Sequence, residues 1–259
     1  MTQQFRKFEE LEYKVEDGAA FLRLNRPHAL NSFTAALYSE VKDAVRLASA
    51  DENVDIIVIT GTGRAFATGG DLHEVLAKLE DPNPLALAAY DDTMPFETIK
   101  HCEKTTIAAI NGVCVAGGLA LASVCDLQIA ARSATFGIPE ARSGLASSLC
   151  PSLLFGKISV AKLKYLLYTA KSISADEAER IGMITEVVDD ERLTARVREV
   201  IAEIRQTTPR ARALYNEYLN KILPVAPNSD LYRSMRTPEC LEGLRAFAAR
   251  KAAKKQSVS

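Results

Sequence analysis

Two glycine pairs, each following an apolar run, constrain this chain more than any other feature. The first sits in Ala65-Phe66-Ala67-Thr68-Gly69-Gly70-Asp71, just after Ile56-Ile57-Val58-Ile59-Thr60. The second sits in Asn111-Gly112-Val113-Cys114-Val115-Ala116-Gly117-Gly118, just after Thr106-Ile107-Ala108-Ala109-Ile110. Each stretch reads as a buried strand, then a turn whose glycines let backbone approach a ligand, then a helix start. Two such turns can aim two backbone N–H groups at one developing negative charge, the geometry of an oxyanion hole. Either loop alone reads as a tight structural turn. Gly61 and Gly63 form a GxG, but no GK[ST] follows, so it is not a phosphate loop.

The rest of the chain organises around these turns. Leu11 to Val15 and Ala20 to Leu24 alternate about an Asp17-Gly18 turn, which predicts a hairpin. Thr34 is placed to cap a helix running to about Ala48, with Leu37, Val41, Val45 and Ala48 on one face. The Leu72–Lys104 region is helical in pattern but interrupted by Pro82, Pro84 and Pro95, which predicts a broken, variable flap. A helix over Gly118–Val124 and a strand over Asp126–Ala130 follow. Strand–strand–helix rhythm thus covers roughly residues 10 to 185. From Asp190 only helical periodicity remains, over Leu193–Ile204, Arg210–Ile222, Asp230–Met235 and Pro238–Lys254. Such a tail must lay its apolar faces on the core or on other subunits. The expected division is a 1–190 core and a 191–259 helical region.

The 259 residues carry 47% apolar side chains and a net charge of −1, an ordinary globular composition with no electrostatic case for nucleic acid or an anionic membrane. Arg250, Lys251, Lys254 and Lys255 are the one dense basic cluster, read either as a solvated helix end or as a phosphate contact. The five cysteines (Cys102, Cys114, Cys125, Cys150 and Cys240) have no CxxC pair and fit reduced thiols. Cys114 and Cys125 read as core filler. Met1 to Arg6 lacks a signal-peptide apolar region and no run reaches membrane-spanning length, so a cytoplasmic protein is expected.

Six segments in order resemble the crotonase superfamily (enoyl-CoA hydratase/isomerase family). They are Leu22-Arg23-Leu24-Asn25-Arg26-Pro27 with Leu30-Asn31, the two glycine turns, Phe136-Gly137-Ile138-Pro139-Glu140, Ile173-Ser174-Ala175-Asp176-Glu177-Ala178 with Gly182, and Glu242-Gly243 onward. The resemblance implies an α/β fold, a spiral of repeated ββα units with a C-terminal helical oligomerisation region, assembled as a homotrimer or dimer of trimers. It also implies an acyl-CoA thioester as substrate. Coenzyme A is then part of the substrate, and no separate cofactor is expected.

A thioester α-proton is too weakly acidic for a carboxylate to remove unless charge forms as an enolate on a held carbonyl oxygen. By the match, the donors are the N–H groups of Thr68 and Gly117, the latter at the positive end of a helix. Glu140 matches the acid/base, and burial there would raise its pKa toward neutrality. The resemblance further implies substrate contacts from Arg26, His28, Ala29, Gly69, Gly70, Asp71, Leu72 and Ser148. Asp71 also reads as a helix cap, and Ser147 and Ser148 read either as caps or as substrate or water contacts. His73 and Glu74 are expected on the solvent side. His101 and Glu103 lack partners at ligand spacing, so no metal site is expected.

The chain departs from the family's two-glutamate hydratases at Ala120, where they carry the second carboxylate. A hydratase uses the pair to deprotonate water and protonate the α-carbon, whereas one glutamate suffices to carry a proton from C2 to C4. The expectation is therefore double-bond isomerisation. Hydration of a 2-enoyl-CoA, decarboxylation, thioester hydrolysis, C–C lysis and a non-catalytic acyl-CoA- or RNA-binding role are the alternatives.

Overall fold

The computed structural model describes residues 8–83, 85–222 and 234–256. Met1 to Arg6, Pro84, residues 230–233 of the expected helix over Asp230–Met235, and the side chains of Lys251, Lys254 and Lys255 lie outside the described set.

Among the described residues, ten strands form two sheets. The larger contains β1 (Leu11–Glu16), β2 (Ala19–Leu24), β3 (Ile56–Gly61), β5 (Thr105–Ile110), β7 (Leu127–Ala131) and β10 (Glu186–Val188), side by side in that order. The smaller contains β4 (Ala65–Ala67), β6 (Val113–Val115), β8 (Thr135–Gly137) and β9 (Ile173–Ser174). After the β1–β2 hairpin, the pairs β3–β4, β5–β6 and β7–β8 each give one strand to the large sheet and the next to the small one before helical chain returns. This is the ββα spiral.

The β1–β2 hairpin closes on Asp17 (φ 46°) and Gly18 (φ 75°), two left-handed residues that match the twist of an antiparallel pair. From β2 onward the large sheet is parallel, with Ala20 opposite Ile57 and Val58 opposite Ile107. Parallel strands need both faces covered, which explains their unbroken apolar runs. Period two sorts those runs: Ile57, Ile59, Ala108 and Ile110 face the main core, while Ile56, Val58, Ile107 and Ala109 face a second cluster. Helix α9 (Leu193–Ile204) covers that second face with Leu193, Val197, Val200 and Ile201. Fully burying each such isoleucine contributes about 1.5–3 kcal/mol.

Thr34 caps α1 (Ala35–Ala50), its Oγ1 accepting from the Leu37 N–H at 3.0 Å, and the helix buries Leu37, Tyr38, Val41, Ala44, Val45 and Ala48. The 72–104 region forms α2 (Leu72–Leu79), α3 (Ala86–Asp92) and α4 (Phe96–Lys100), with Pro82 between the first two and Pro95 at the start of the third. Helices α5 (Gly117–Val124), α6 (Leu149–Leu154), α7 (Val160–Thr169) and α8 (Ala175–Arg180) complete the core, and α10 (Pro209–Ile222) and α11 (Pro238–Gln256) end the chain. Helix α11 lies against α2 and against the turn that carries Glu140. All five cysteines are buried and unpaired. Among the described residues, no helix is long and apolar enough to cross a membrane.

Candidate active site

The small sheet assembles the site. Strands β4, β6 and β8 are parallel neighbours, with Ala67 opposite Cys114 and Val115 opposite Gly137. Their carboxyl ends therefore deliver the first glycine turn, the second glycine turn and the Glu140 segment to one place. The turns touch: a methyl on Gly69 (φ 83°) would stand 2.7 Å from Ala116 Cβ and 2.8 Å from the Gly117 nitrogen. Only glycine fits there. Among the described residues, neither the Thr68 N–H nor the Gly117 N–H has a backbone acceptor. Gly117 is the first residue of α5, so its N–H lies at the positive end of that helix. Ala116 before it holds φ 54° and ψ −129°, a conformation that costs a non-glycine residue roughly 1–3 kcal/mol.

Two side-chain amides, buried Asn31 and half-buried Asn111, fix the loops. Asn31 donates through Nδ2 to the carbonyls of Thr62, Ala65 and Phe66 and accepts at Oδ1 from the Arg26 N–H. Asn111 donates to Gly63 O and accepts from the Gly61 N–H. Phe33 ties on the first turn, donating to Gly69 O and accepting from the Asp71 N–H.

Glu140 opens a 3-10 turn, Glu140–Ser143, that ends at left-handed Gly144 (φ 71°). Its Oε2 is buried with no hydrogen-bond partner, and burial pushes the carboxyl from its ordinary 4.5 up to about 7, opposed only by a backbone hydrogen bond. Near neutral pH the group is thus divided between acid and base. Ala120 is fully buried on α5, and in place of a carboxylate the Cys150 thiol approaches its backbone while feeling the Glu140 charge. That thiol donates to Ala116 O, and burial drives its pKa far up, so it stays protonated.

The remaining expected residues divide by what they touch. Asp71 caps α2 through Oδ1, accepting from the His73 N–H, and its Oδ2 faces Ser32 Oγ and the Arg26 guanidinium. Arg26 also pairs with Glu10 at 2.9 Å and donates to Ser32 O, so it braces the loop from within. His28 and Ala29 lie on a short 3-10 turn, His28 exposed. Gly70 and Leu72 flank Asp71 at the first turn. Ser147 Oγ accepts from the Leu149 N–H, while Ser148 occupies the cap position of α6 with no side-chain cap bond. His73 is exposed as expected, but Glu74 is not a solvent-side residue: its carboxylate accepts from the Ala35 N–H, joining α2 to the start of α1. Among the described residues no group of three His, Cys, Asp or Glu side chains is arranged to hold a metal ion.

Two tyrosines that no sequence motif marks, Tyr38 and Tyr90, also reach the glycine turns. Tyr38 Oη would be 2.8 Å from a methyl on Gly117, and Tyr90 Oη 3.1 Å from one on Gly70. The only sequence signal for Tyr38 is its place on the apolar face of α1, which reads as core.

A spiral of ββα units with two apposed glycine turns and a buried glutamate defines a crotonase-superfamily protein. The family model for enoyl-CoA hydratase/isomerase matches residues 14–237. The chain is 35% identical over 199 residues to a crotonyl-CoA hydratase of Syntrophomonas wolfei, covering 76% of each protein. It is 31% identical to a probable enoyl-CoA hydratase of Rhizobium meliloti, covering 95% of this chain and 97% of that one. A crystal structure of an enoyl-CoA hydratase/isomerase from Xanthobacter autotrophicus Py2 superposes with a TM-score of 0.80 at 29% identity, over 96% of this chain and 99% of that one. The chain belongs to the enoyl-CoA hydratase/isomerase family.

Proposed function

We propose that this protein acts on an acyl-CoA thioester through an enolate, with Glu140 as its single acid/base, and that its reaction is double-bond isomerisation. The observation that carries the reading is the lone buried carboxylate with pKa about 7 beside two converging glycine turns, with alanine at position 120. On a 3-enoyl-CoA, ionised Glu140 takes a proton from C2. Negative charge forms on the thioester oxygen, where the Thr68 and Gly117 N–H groups receive it. The Glu140 acid then returns a proton to C4, leaving the double bond between C2 and C3. Each oxyanion donor is worth about 3–4 kcal/mol in such a step. His28, Ala29 and the 69–72 backbone are assigned to the coenzyme A portion, with Ser148 near the reacting end, and Arg26 and Asp71 shape that loop.

The second reading is hydration of a 2-enoyl-CoA, favoured by the names of the relatives, which are hydratases. It requires Glu140 alone, or with a non-carboxylate partner, to handle water. NMR in D₂O with 3-enoyl-, 2-enoyl- and malonyl-type CoA thioesters separates the two. Deuterium at C4 with no hydroxyl product supports isomerisation. Rapid 3-hydroxyacyl-CoA formation with negligible double-bond migration replaces it with hydration, and carbon dioxide release replaces both.

A further inference from the structure

Tyr38 stands at the centre of the site without belonging to any motif. Its ring is fixed on three sides, stacked on Phe33 (centroids 4.4 Å apart, planes at 11°) and edge-on to Tyr90 and Phe96 at 6.0 and 5.9 Å. Phe33 is itself hydrogen-bonded to the first glycine turn, so the ring is registered to that turn. The hydroxyl emerges against Gly117, where a methyl on that glycine would meet it at 2.8 Å. Tyr90, Cys150 and Glu140 are the titratable groups that act on it. Burial first, then those neighbours, pushes its pKa far up, so it remains a donor throughout the working pH range.

No hydrogen bond to another described residue accounts for the oxygen. A phenylalanine would make the same stack and fill nearly the same space, and the Tyr38 oxygen, unlike the enclosed and unpartnered Tyr90 Oη, is not sealed off within the core. Packing therefore does not call for the oxygen, whereas an anion beside Gly117 does.

We propose that the Tyr38 hydroxyl is a third donor of the oxyanion site, joining the Thr68 and Gly117 N–H groups on the thioester oxygen as enolate charge forms. This rests on the enolate reading above. A donor fixed on a helix needs no reorganisation when the charge develops, and hydrogen bonds to a charged acceptor are the strong ones. The hydroxyl is catalytic in that it touches the reacting oxygen, and it moves no proton.

Tyr38→Phe tests this with acetoacetyl-CoA, a thioester whose enolate absorbs in the near ultraviolet. Wild-type protein should lower the pH at which the bound ligand enolises relative to free ligand. In Tyr38→Phe that pH should rise by about one to two units, with kcat on a 3-enoyl-CoA falling roughly 10- to 100-fold and KM changing little. The melting temperature should hold or rise. Wild-type enolisation and turnover in Tyr38→Phe would overturn the assignment while leaving the enolate reading intact. A fall in activity matched by a fall in melting temperature would also overturn it, as a structural role. Absence of ligand enolisation and of α-proton exchange in wild-type protein would defeat the enolate reading and this assignment together.

Discussion

Gly243 rests on Ser143 backbone to backbone: a methyl on the glycine would stand 2.7 Å from the Ser143 carbonyl oxygen. Gly144 is equally close to Cys240, at 2.8 Å from its nitrogen by the same measure. The last helix is thereby seated on the turn that begins at Glu140. Gly243→Val should push that turn aside and move the carboxylate. A displacement of about 1 Å can cost on the order of 100-fold, so kcat should fall 10- to 100-fold with KM little changed. Steady-state kinetics beside a thermal melt checks this, since unchanged kcat in a folded variant would show the helix and the turn to be independent.

Glu140→Gln keeps the shape and removes the proton transfer. The expected result is a kcat lower by roughly 10²–10⁴ and a nearly unchanged KM. Turnover at the wild-type rate would remove Glu140 from the mechanism.

The pKa of about 7 at Glu140 gives two opposite pH trends. As a base the group must be ionised, so kcat/KM should climb with pH and level off above about 7. Stability runs the other way. The folded state holds the proton to a higher pH than the unfolded chain does, so this group's contribution is greatest at low pH. It is lost as pH rises from about 4.5 through about 7. Glu140→Gln should flatten both trends and melt higher than wild type at pH 8. A rate profile flat between pH 6 and 8 would contradict the assignment.

Ala120→Glu restores the second carboxylate of a hydratase. Hydration of a 2-enoyl-CoA should rise while isomerisation stays flat or falls. Because Ala120 is fully buried near the Cys150 thiol, the variant should lose stability, and pairing it with Cys150→Ala should recover part of that loss. Wild-type protein that already hydrates faster than it isomerises would show that the missing glutamate is not limiting.

Helix α10 has no buried residue and exposes Tyr215, Tyr218, Leu219 and Ile222, the last at 73%. A second copy of the chain covering this face fits the expected three-fold assembly. Leu219→Asp with Ile222→Asp should dissociate it, as read by light scattering. A wild-type monomer in solution would rule the assembly out.

What the sequence made legible follows from how local each cause is. The Asp17-Gly18 hairpin, the Thr34 and Asp71 caps and the proline breaks in the 72–104 region are set by residues within a few positions of each other. The glycine turns were legible as turns for the same reason. Their contact was not, because it depends on β4, β6 and β8 pairing across about seventy residues of chain. Tyr38 was hidden for a different reason: at helical spacing between Leu37 and Val41 an aromatic reads as core, and its ring is core. Only the oxygen is exceptional, and nothing local distinguishes it. Local pattern puts Glu74 on the solvent side because its partner, the Ala35 N–H, lies at the start of a helix thirty-nine positions earlier.

The large sheet is laid down in chain order, each new strand joining beside the one before it from β1 to β10. A nascent chain can therefore extend its sheet as it leaves the ribosome, with no earlier strand waiting for a distant partner. The two glycine turns are joined once β6 has paired, whereas the support under Glu140 arrives only with the final helix. Chains truncated near residue 190 lack both α9, which covers the Ile56, Val58 and Ile107 face, and the final helix, so they should be protease-sensitive and show no turnover. Synthesis thus orders the pairing of the glycine turns before the seating of the Glu140 turn.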